Sequence, residues 1–291
     1  MTIYNAGPYL KPAADSLLAQ TFQDFEFIAV ENGSTDGSKN VVAVYKADPR
    51  VKVIDLAENI GRVPALNAAL SQACGDYIAI LDADDIAHPE RLAEQVAVLD
   101  VHPEIVMVSS HARFIDEVGH VTGYWRPACA REQLLDALAY ENPFSHSACT
   151  FRRKAAVAAG SYSIRYPIAN DLALWIALSH QGELAMIERP LADIRSHSGN
   201  TTNASIYAVS RFREELELYR IASALPGVSE VARRSSLVTQ SRLHFNIAKG
   251  LLAARRPFGA AAELSKCFLR APLFFVRHMT ARIIPAKSAL A

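Results

Sequence analysis

The chain has 291 residues, of which 51% are apolar and 21% are charged, and its formal net charge is zero. These values are typical of a globular protein with a substantial core, built as one large domain or as one domain with an appendage. The four cysteines form no C-x-x-C pair, which argues against a zinc site or a disulfide framework and favours a reducing cytosol. No apolar run approaches the ~18 residues that a membrane span needs.

The even charge balance hides a strong asymmetry along the chain. Residues 1–204 carry 16 Lys and Arg against 25 Asp and Glu, whereas residues 205–291 carry 14 against 5. The sequence therefore predicts an acidic domain over 1–204 and a basic region over 205–291. A basic region of this kind suits phosphate or an anionic membrane, although a solvated helical face would have the same composition.

The first hundred residues alternate between helical and strand patterns. In chain order they predict a helix over 9–20, a strand over 25–30, a helix through residue 46, a strand over 51–54, a helix over 63–74, a strand over 77–81 and a helix over 89–100. Such alternation predicts an α/β fold with a mostly parallel sheet flanked by helices on both faces. In the polar turn over 31–38, Gly33 and Gly37 are expected to permit turn geometry rather than to cradle a phosphate.

The pattern loosens after residue 105. It predicts a strand over 105–109, a hairpin over 113–124, a helix over 131–140, a helix around Trp175 that ends by Gly182, and a strand over 184–195. Beyond residue 205 the composition is helical, with breaks at Pro226, Pro257 and Pro272. The sequence therefore predicts a C-terminal helical region after the α/β domain.

The strand over 77–81 runs into three carboxylates, Asp82, Asp84 and Asp85. In extended geometry, the side chains of Asp82 and Asp84 would leave the same side of the strand. Two hard oxygen ligands at the carboxyl end of a strand suit Mg²⁺ or Mn²⁺, together with the polyphosphate that such an ion carries. In the alternative interpretation, the three carboxylates form an N-terminal cap for the helix that begins at Pro89.

Several further motifs occur in a fixed order. They are Tyr4-Asn5-Ala6, Ser16 to Phe22, Val30 to Ser38, Asn59-Ile60-Gly61, Ala65-Leu66-Asn67 and Gly75 to Asp85. In order and spacing, the chain over residues 1–200 resembles the family 2 glycosyltransferases. The resemblance implies a GT-A fold and inverting transfer of a sugar from a nucleoside diphosphate donor. Members usually have a full strand before the tyrosine-asparagine turn, so we expect this chain to begin inside that strand.

The resemblance also implies roles for individual residues. Glu31 lies where the family contacts the nucleotide base, and Asn32 stands where the family has a second acidic residue. The first aspartate of the D-x-D pair usually reaches the ribose and the second the metal. Together with Arg62, which lies in a loop and could meet a phosphate, the expected donor-binding residues are Tyr4, Glu31, Asn32, Asp36, Arg62, Asp82 and Ala83.

The metal, base and acceptor residues are expected further along. Asp84 and His197 are the expected metal ligands, His197 belonging to an element that resembles the family's late arginine-x-histidine. Asp171 is the expected catalytic base, with Asn170 in place of the family's glutamate, although Asp171 could instead cap the helix over 172–179. His146 is expected to contact the acceptor or the diphosphate.

These residues predict a glycosyltransferase that uses Mn²⁺ or Mg²⁺, a UDP-sugar, and a saccharide or lipid-linked acceptor in cell-surface polysaccharide or glycoconjugate synthesis. We expect no nucleic-acid partner. The predicted location is cytoplasmic, with a peripheral contact to the inner membrane through the basic region. There, apolar and basic residues mix along one helix, namely Leu264, Phe268, Phe275, Lys266, Arg270 and Arg277.

Two alternatives are kept open. A nucleotidyltransferase predicts a glycine-rich, basic loop after the first strand, but the sequence there is Tyr4-Asn5-Ala6-Gly7-Pro8. A non-catalytic nucleotide-sugar-binding protein predicts that Asp171 or the metal pair is lost, but these residues are present.

Overall fold

The computed structural model describes residues 1–127, 130–200 and 208–275. These residues form two compact units. The first comprises Met1–Leu135 and Asn142–Asn200, and the second combines Asp136–Glu141 with the helices that follow residue 207. The predicted boundary at residue 204, like Cys129 and Arg277, lies outside the described residues.

The first unit begins with a parallel three-stranded sheet in the order β1-β2-β3. Its strands are β1 (Thr2–Ile3), β2 (Phe27–Asn32) and β3 (Val51–Leu56). Helices follow the strands in turn: α1 (Leu10–Leu18), α2 (Ser38–Val44) and α3 (Arg62–Gln72). The predicted order of helices and strands is therefore confirmed over this part of the chain.

Strand β2 is buried on both faces, which explains why its first four residues, 27–30, are all apolar. Phe27 and Ala29 pack in the core cluster that includes Leu10 and Leu17 of α1. The alternate residues, Ile28 and Val30, pack in a separate cluster with Ala65 of α3. Since side chains alternate along a strand, β2 joins two helical layers and fixes where its own carboxyl end lies.

A second, mixed sheet of six strands completes the first unit. The path is β4-β8-β6-β9-β5, and β7 pairs with β6. The strands are β4 (Tyr77–Ala79), β5 (Ile86–Ala87), β6 (Ile105–Ile115), β7 (Val121–Trp125), β8 (Thr150–Arg152) and β9 (Glu183–Arg195). The helices are α4 (Arg91–Val101), α5 (Arg131–Leu138), α6 (Arg153–Ala158) and α7 (Asn170–Ser179).

The expectation of a mostly parallel sheet holds for the longest pairings but not for every strand. The β2–β3 and β6–β9 ladders are parallel, whereas β4, β5 and β7 pair antiparallel with their neighbours. The hairpin predicted around Gly119 is β6–β7. Strands β5 and β8 escaped prediction because two or three residues are too short to show a period.

Trp175 of α7 has no exposed surface and packs against other aromatic rings. The rings of Phe144, His146 and Phe151 lie 6.0 to 6.3 Å from its own, measured between centroids. Trp175 is therefore a packing residue inside the protein.

A cavity of about 560 Å³ lies between β2 and β4, with α3 and α4 on its two sides. Its lining includes the apolar side chains of Phe27, Ile28, Leu70, Ile78 and Leu92. In the described pairings, β1 and β4 are the end strands of their sheets and do not pair with each other. The cavity is therefore lined by one end strand, β4, and by β2, which is paired on both sides.

The second unit contains α8 (Ala208–Ser223), α9 (Glu230–Ala253) and α10 (Pro257–Arg270). The breaks predicted at Pro226, Pro257 and Pro272 agree with the helix ends. Ser229 caps α9 by accepting a hydrogen bond from the Ala232 backbone at 3.1 Å. No helix in the described ranges combines the length and apolarity that crossing a bilayer requires.

Gly33 follows β2 at a position that only glycine fits easily. Its φ is +72°, and a Cβ atom there would lie 2.5 Å from the backbone carbon of Glu58. Gly37, in the same turn, has φ +92° but open space around its Cα. Both glycines therefore provide turn geometry, as predicted, and Gly33 also permits close contact with the loop after β3.

We predict that Gly33→Ala destabilises the protein more than Gly37→Ala. The left-handed backbone alone costs about 1–2 kcal/mol in each variant. The collision with the Glu58 backbone adds about 2 kcal/mol at Gly33. Urea unfolding followed by circular dichroism measures both losses, and equal losses would contradict the close approach.

An ion pair connects β6 to β9 near the turn that carries Asp82, Asp84 and Asp85, called the acidic turn below. Arg113 donates two hydrogen bonds to the Asp193 carboxylate, at 2.6 and 2.7 Å, and His88 Nε2 lies 2.8 Å from the same group. Burial raises the pKa of Asp193, but His88 and Arg113 outweigh it and hold the pKa below its usual value. The ionised form of Asp193 therefore stabilises the fold.

We predict that Asp193→Asn lowers the free energy of unfolding by about 2 kcal/mol at pH 7. Because the folded-state pKa is depressed, the contribution is present above the ordinary aspartate pKa of about 3.9 and is lost as pH falls through the folded value. The difference from wild type should begin to shrink below about pH 4 and close as pH falls through the folded value. Urea unfolding at pH 7, 5 and 3.5 measures it, with the exposed Asp24→Asn as control. A difference that is the same at pH 3.5 as at pH 7 would contradict the ionic origin.

Candidate active site

The acidic motif lies in a turn beyond β4. The strand ends at Ala79, and the Asp85 backbone N–H donates to the Asp82 carbonyl at 3.3 Å. The expectation that extended geometry aligns Asp82 and Asp84 is therefore wrong, because the turn sets their directions. It nevertheless brings the side chains together, since oxygen atoms of Asp82, Asp84 and Asp85 lie within 4.8 Å of one another.

The capping interpretation of this motif is also wrong. Strand β5 lies between the acidic turn and α4, and the N-cap residue of α4 is Glu90. The three carboxylates are therefore held together without serving a helix end, although such a cluster disfavours its own ionisation.

Asp82 is balanced by a cation and a histidine. Arg62 Nη2 donates to both carboxylate oxygens, at 2.8 and 2.9 Å, and His146 Nδ1 lies 3.2 Å from Oδ1. Burial raises the pKa of Asp82, but Arg62 and His146 together bring it well below its usual range. The Asp82 carboxylate is therefore ionised at neutral pH.

Asp84 contacts the segment after β9. His197 Nε2 lies 2.9 Å from Asp84 Oδ2, and Asn200 Nδ2 donates to the same oxygen at 3.2 Å. The His197 ring lies against Tyr9, with 4.8 Å between centroids. The structure therefore brings together the two residues that the sequence assigns to a metal.

Arg195 holds the acidic turn by hydrogen bonds from its backbone and its side chain. Its backbone N–H donates to Asp85 Oδ1 at 2.8 Å, and its Nε donates to the Asp84 carbonyl at 2.9 Å. Asp85 is 5% exposed. Burial raises the pKa of Asp85 well above its ordinary value, and the negative charges of Asp84 and Asp82 raise it further.

The turns after β1 and β2 are joined by side chains. Asp36 accepts hydrogen bonds from the Gly7 and Ser38 backbones at 2.8 and 3.0 Å. Asn5, at φ 50°, accepts one from the Thr35 backbone at 2.8 Å. Tyr4 lies beside this junction and is 49% exposed. These contacts fix the two turns relative to each other at the carboxyl edge of the first sheet.

Glu31 and Asn32 end β2 and hold the loops around them. Glu31 accepts hydrogen bonds from the backbones of Gly33 and Ser34, at 3.2 and 2.7 Å. Asn32 accepts one from the Ile60 backbone at 3.0 Å and donates one to the Asn59 side chain at 3.1 Å. Both side chains are nearly fully buried, so they shape the edge of the site.

Asp171 lies in the first turn of α7 but does not cap it, since the N-cap residue is Ala169. Asn142 Nδ2 donates to Asp171 Oδ2 at 2.9 Å, which orients the carboxylate. Although burial lowers the pKa of Arg62, the carboxylates of Asp82 and Asp171 hold it above its usual value. Asp171 therefore lies within electrostatic reach of the Asp82–Arg62 pair.

Several residues at this site were not anticipated from the sequence. Ser147 Oγ accepts a hydrogen bond from the Asp82 backbone at 3.0 Å, and the Tyr162 hydroxyl lies 2.9 Å from His146 Nε2. Burial raises the pKa of Tyr162 well above its ordinary value, so its hydroxyl remains protonated. Asn200, Asn142, Ser147 and Tyr162 lie far in sequence from the acidic turn, so no local pattern connects them to it.

Comparison with known proteins bears on the family and the fold. Residues 1–160 match the protein family described as Glycosyl transferase family 2. An uncharacterized glycosyltransferase of Haemophilus influenzae is 28% identical over 214 residues, which span 69% of this chain and 65% of that protein. The amylovoran biosynthesis glycosyltransferase AmsE of Erwinia amylovora is 29% identical over 219 residues, or 74% of this chain and 80% of AmsE.

Solved structures share the fold at low sequence identity. S. aureus TarS 1-349, crystallised with UDP-GlcNAc, superimposes with a TM-score of 0.68 at 15% identity, covering 96% of this chain and 90% of that chain. The mannosyltransferase PcManGT of Pyrobaculum calidifontis, in complex with GDP-Man and Mn²⁺, gives 0.60 at 19% identity, covering 97% and 77%. With its GT-A-type α/β fold and the family match over more than half of its length, the chain belongs to glycosyl transferase family 2 and is a glycosyltransferase.

Proposed function

We propose that the protein transfers a sugar from a nucleoside diphosphate sugar, a UDP-sugar in the first instance, to a hydroxyl acceptor with inversion. The observation that carries this proposal is the acidic turn, where three carboxylates converge within 4.8 Å beside Arg62 and His197. Negatively and positively charged side chains at the carboxyl end of β4 suit a ligand that carries a diphosphate and a counterion.

The donor is proposed to lie along the carboxyl edge of β1 and β2. The turn fixed by Glu31, Asn32 and Asp36 forms the nucleotide end, with the exposed ring of Tyr4 beside it. Asp82 receives the ribose, and Ala83, 8% exposed, keeps the space between Asp82 and Asp84 small. Arg62, whose side chain is 38% exposed, can reach a phosphate from its place on Asp82. TarS with UDP-GlcNAc and PcManGT with GDP-Man support a nucleotide-sugar donor.

The residues present fit a hard divalent cation. The cluster offers carboxylate oxygens, which Mg²⁺ and Mn²⁺ prefer, and Asp84 with His197 would hold the ion. When bound, such an ion offsets the negative charge that develops on the departing nucleoside diphosphate. The residues around Asp84 keep its carboxylate oriented.

Asp171 is proposed as the base that takes the proton from the acceptor hydroxyl. Inversion by single displacement needs one carboxylate on the acceptor side, and the bond from Asn142 orients that of Asp171. His146 is proposed to serve the diphosphate side through its contact with Asp82.

We predict that the wild-type protein releases nucleoside diphosphate from one member of a panel of UDP- and GDP-sugars in the presence of Mn²⁺. Asp84→Asn should lower kcat/KM at least about 100-fold, because the charge of the leaving group is no longer offset. Asp171→Asn should lower kcat about 100- to 10,000-fold while donor binding persists, because only proton transfer is lost.

The exposed Asp24→Asn serves as the matched control and should keep wild-type rates. Nucleotide release is measured by a coupled assay, and donor binding by calorimetry. Full activity in both site variants would refute the assignment of these residues, and a wild type that binds no nucleotide sugar would refute the function.

We also propose that the protein acts in cell-surface polysaccharide or glycoconjugate synthesis, with a saccharide or lipid-linked acceptor, and that its helical unit contacts an anionic membrane surface. Supporting this, α10 and its flanks expose large apolar side chains, with Phe258 92%, Leu269 77% and Leu273 81% exposed. The exposed cations Arg255, Arg256 and Lys266 lie among them. Each cation near an anionic leaflet contributes about 1 kcal/mol.

We predict that the protein sediments with vesicles containing phosphatidylglycerol at low salt and is released by high salt. Phe258→Ser should reduce the bound fraction severalfold, because a phenylalanine contributes about 1.5–3 kcal/mol on leaving water. Val44→Ser, at a 75% exposed apolar position of α2, should leave binding unchanged. A wild type that stays in the supernatant at low salt would rule out the membrane contact.

A further inference from the structure

His146 is held at both ring nitrogens and is 8% exposed. Nδ1 lies 3.2 Å from Asp82 Oδ1, and Nε2 lies 2.9 Å from the Tyr162 hydroxyl. A neutral imidazole has one donor and one acceptor nitrogen. Arg62 Nη2 also lies 3.0 Å from Nδ1, and a guanidinium can only donate hydrogen bonds. Nδ1 of the neutral ring therefore accepts from Arg62, so the proton is on Nε2 and is donated to the Tyr162 hydroxyl oxygen.

The backbone of Tyr162 is clamped by one side chain of α3. Asn67 Nδ2 donates to the Tyr162 carbonyl at 2.8 Å, and the Tyr162 N–H donates to Asn67 Oδ1 at 3.0 Å. The two preceding residues, Gly160 and Ser161, have φ of 90° and 61°. The chain thus reaches Tyr162 through a left-handed turn, a conformation that the surrounding structure must hold in place.

The segment carrying His146 is fixed from its other side by α4. Gln95 Nε2 donates to the Ala148 carbonyl at 2.7 Å, and Arg91 Nη2 donates to the Cys149 carbonyl at 2.9 Å. Arg91 and Gln95 are fully buried. Because the His146 backbone is held in this way, the orientation of its ring is left to the partners of its side chain, which are the Tyr162 hydroxyl at Nε2 and Arg62 and Asp82 at Nδ1.

We propose that Tyr162 and Asn67 are positioning residues that act through His146 to hold the Asp82 carboxylate in its donor-binding orientation. The proposal rests on the proposed function, in which Asp82 receives the ribose of the nucleotide. Asn67 sets the place of Tyr162, and the Tyr162 hydroxyl sets the tautomer and the plane of the His146 ring by accepting from Nε2–H. Nδ1 in turn accepts from Arg62, whose guanidinium donates to the Asp82 carboxylate.

The Tyr162 hydroxyl thus differs from hydroxyls that only stabilise the fold. Without it, the buried Nε2–H has no partner, the ring is free to turn away from Arg62, and the Arg62–Asp82 pair is less ordered before the nucleotide arrives. Part of the binding free energy is then used to order Asp82. The effect should therefore appear in nucleotide affinity and in KM more than in kcat.

The test compares Tyr162→Phe with Tyr77→Phe in the full chain. Tyr77 on β4 is a matched control, because its hydroxyl also donates a hydrogen bond, to Asp100 Oδ1 at 2.6 Å, but away from the acidic turn. Calorimetry with UDP or GDP, whichever wild type binds more tightly, gives Kd, and the nucleotide-release assay gives kcat and KM. Thermal unfolding reports on the fold.

Tyr162→Phe is expected to raise Kd and KM about 3- to 10-fold, as for the loss of one hydrogen bond, with kcat within about twofold of wild type. Tyr77→Phe is expected to shift the thermal midpoint by a similar amount while leaving Kd unchanged. Asn67→Ser should raise Kd in the same direction. Combined with Tyr162→Phe it should add less than its own effect, because both act through one ring.

The outcomes separate this inference from the proposed function. A wild type that binds neither nucleotide refutes both. A wild type that binds and turns over, with Tyr162→Phe indistinguishable from it, refutes the positioning role and leaves the glycosyl transfer standing. Strictly additive effects of Asn67→Ser and Tyr162→Phe on Kd would also refute the shared path through His146.

Discussion

The site depends on forcing three carboxylates into one turn. Asp82, Asp84 and Asp85 lie close enough that each disfavours the charge of the others, so the turn is stable only because its neighbours offset them. Different elements supply that compensation: Arg62 begins α3, and the segment containing Arg195 and His197 ends and follows β9. The need to offset these three carboxylates therefore brings together the charged groups on which sugar transfer is proposed to depend.

Much of the fold could be predicted because its signals are local. The apolar run of β2, the helix of α3 and the hairpin around Gly119 each show their period within about ten residues. The acidic motif is also a local signal. The sequence predicts extended geometry there, whereas the structure has a turn, because spacing does not reveal the hydrogen bond from Asp85 to Asp82. The partnership of His146 with Tyr162, and of Asn67 with Tyr162, depends on packing between distant segments, which one sequence does not encode in a readable pattern.

Asn32 and Asn170 stand where the family resemblance leads one to expect acidic residues. In the structure each of these amides donates hydrogen bonds, which an ionised carboxylate cannot do. Asn32 donates to Asn59 while it accepts from the Ile60 backbone, so one side chain closes the loop before α3. Asn170 donates to the carbonyls of Pro167 and Ile168 at the start of α7. A carboxylate can only accept hydrogen bonds when ionised. These substitutions therefore leave the site with fewer negative charges and with loops held by hydrogen-bond donors.

The gap between β2 and β4 has a consequence for handling the protein. In the described pairings β4 is an end strand of its sheet, and it lines this apolar hollow. A strand edge beside apolar side chains offers main-chain hydrogen-bonding groups to an extended polypeptide, which makes it a general route to self-association when a protein is concentrated.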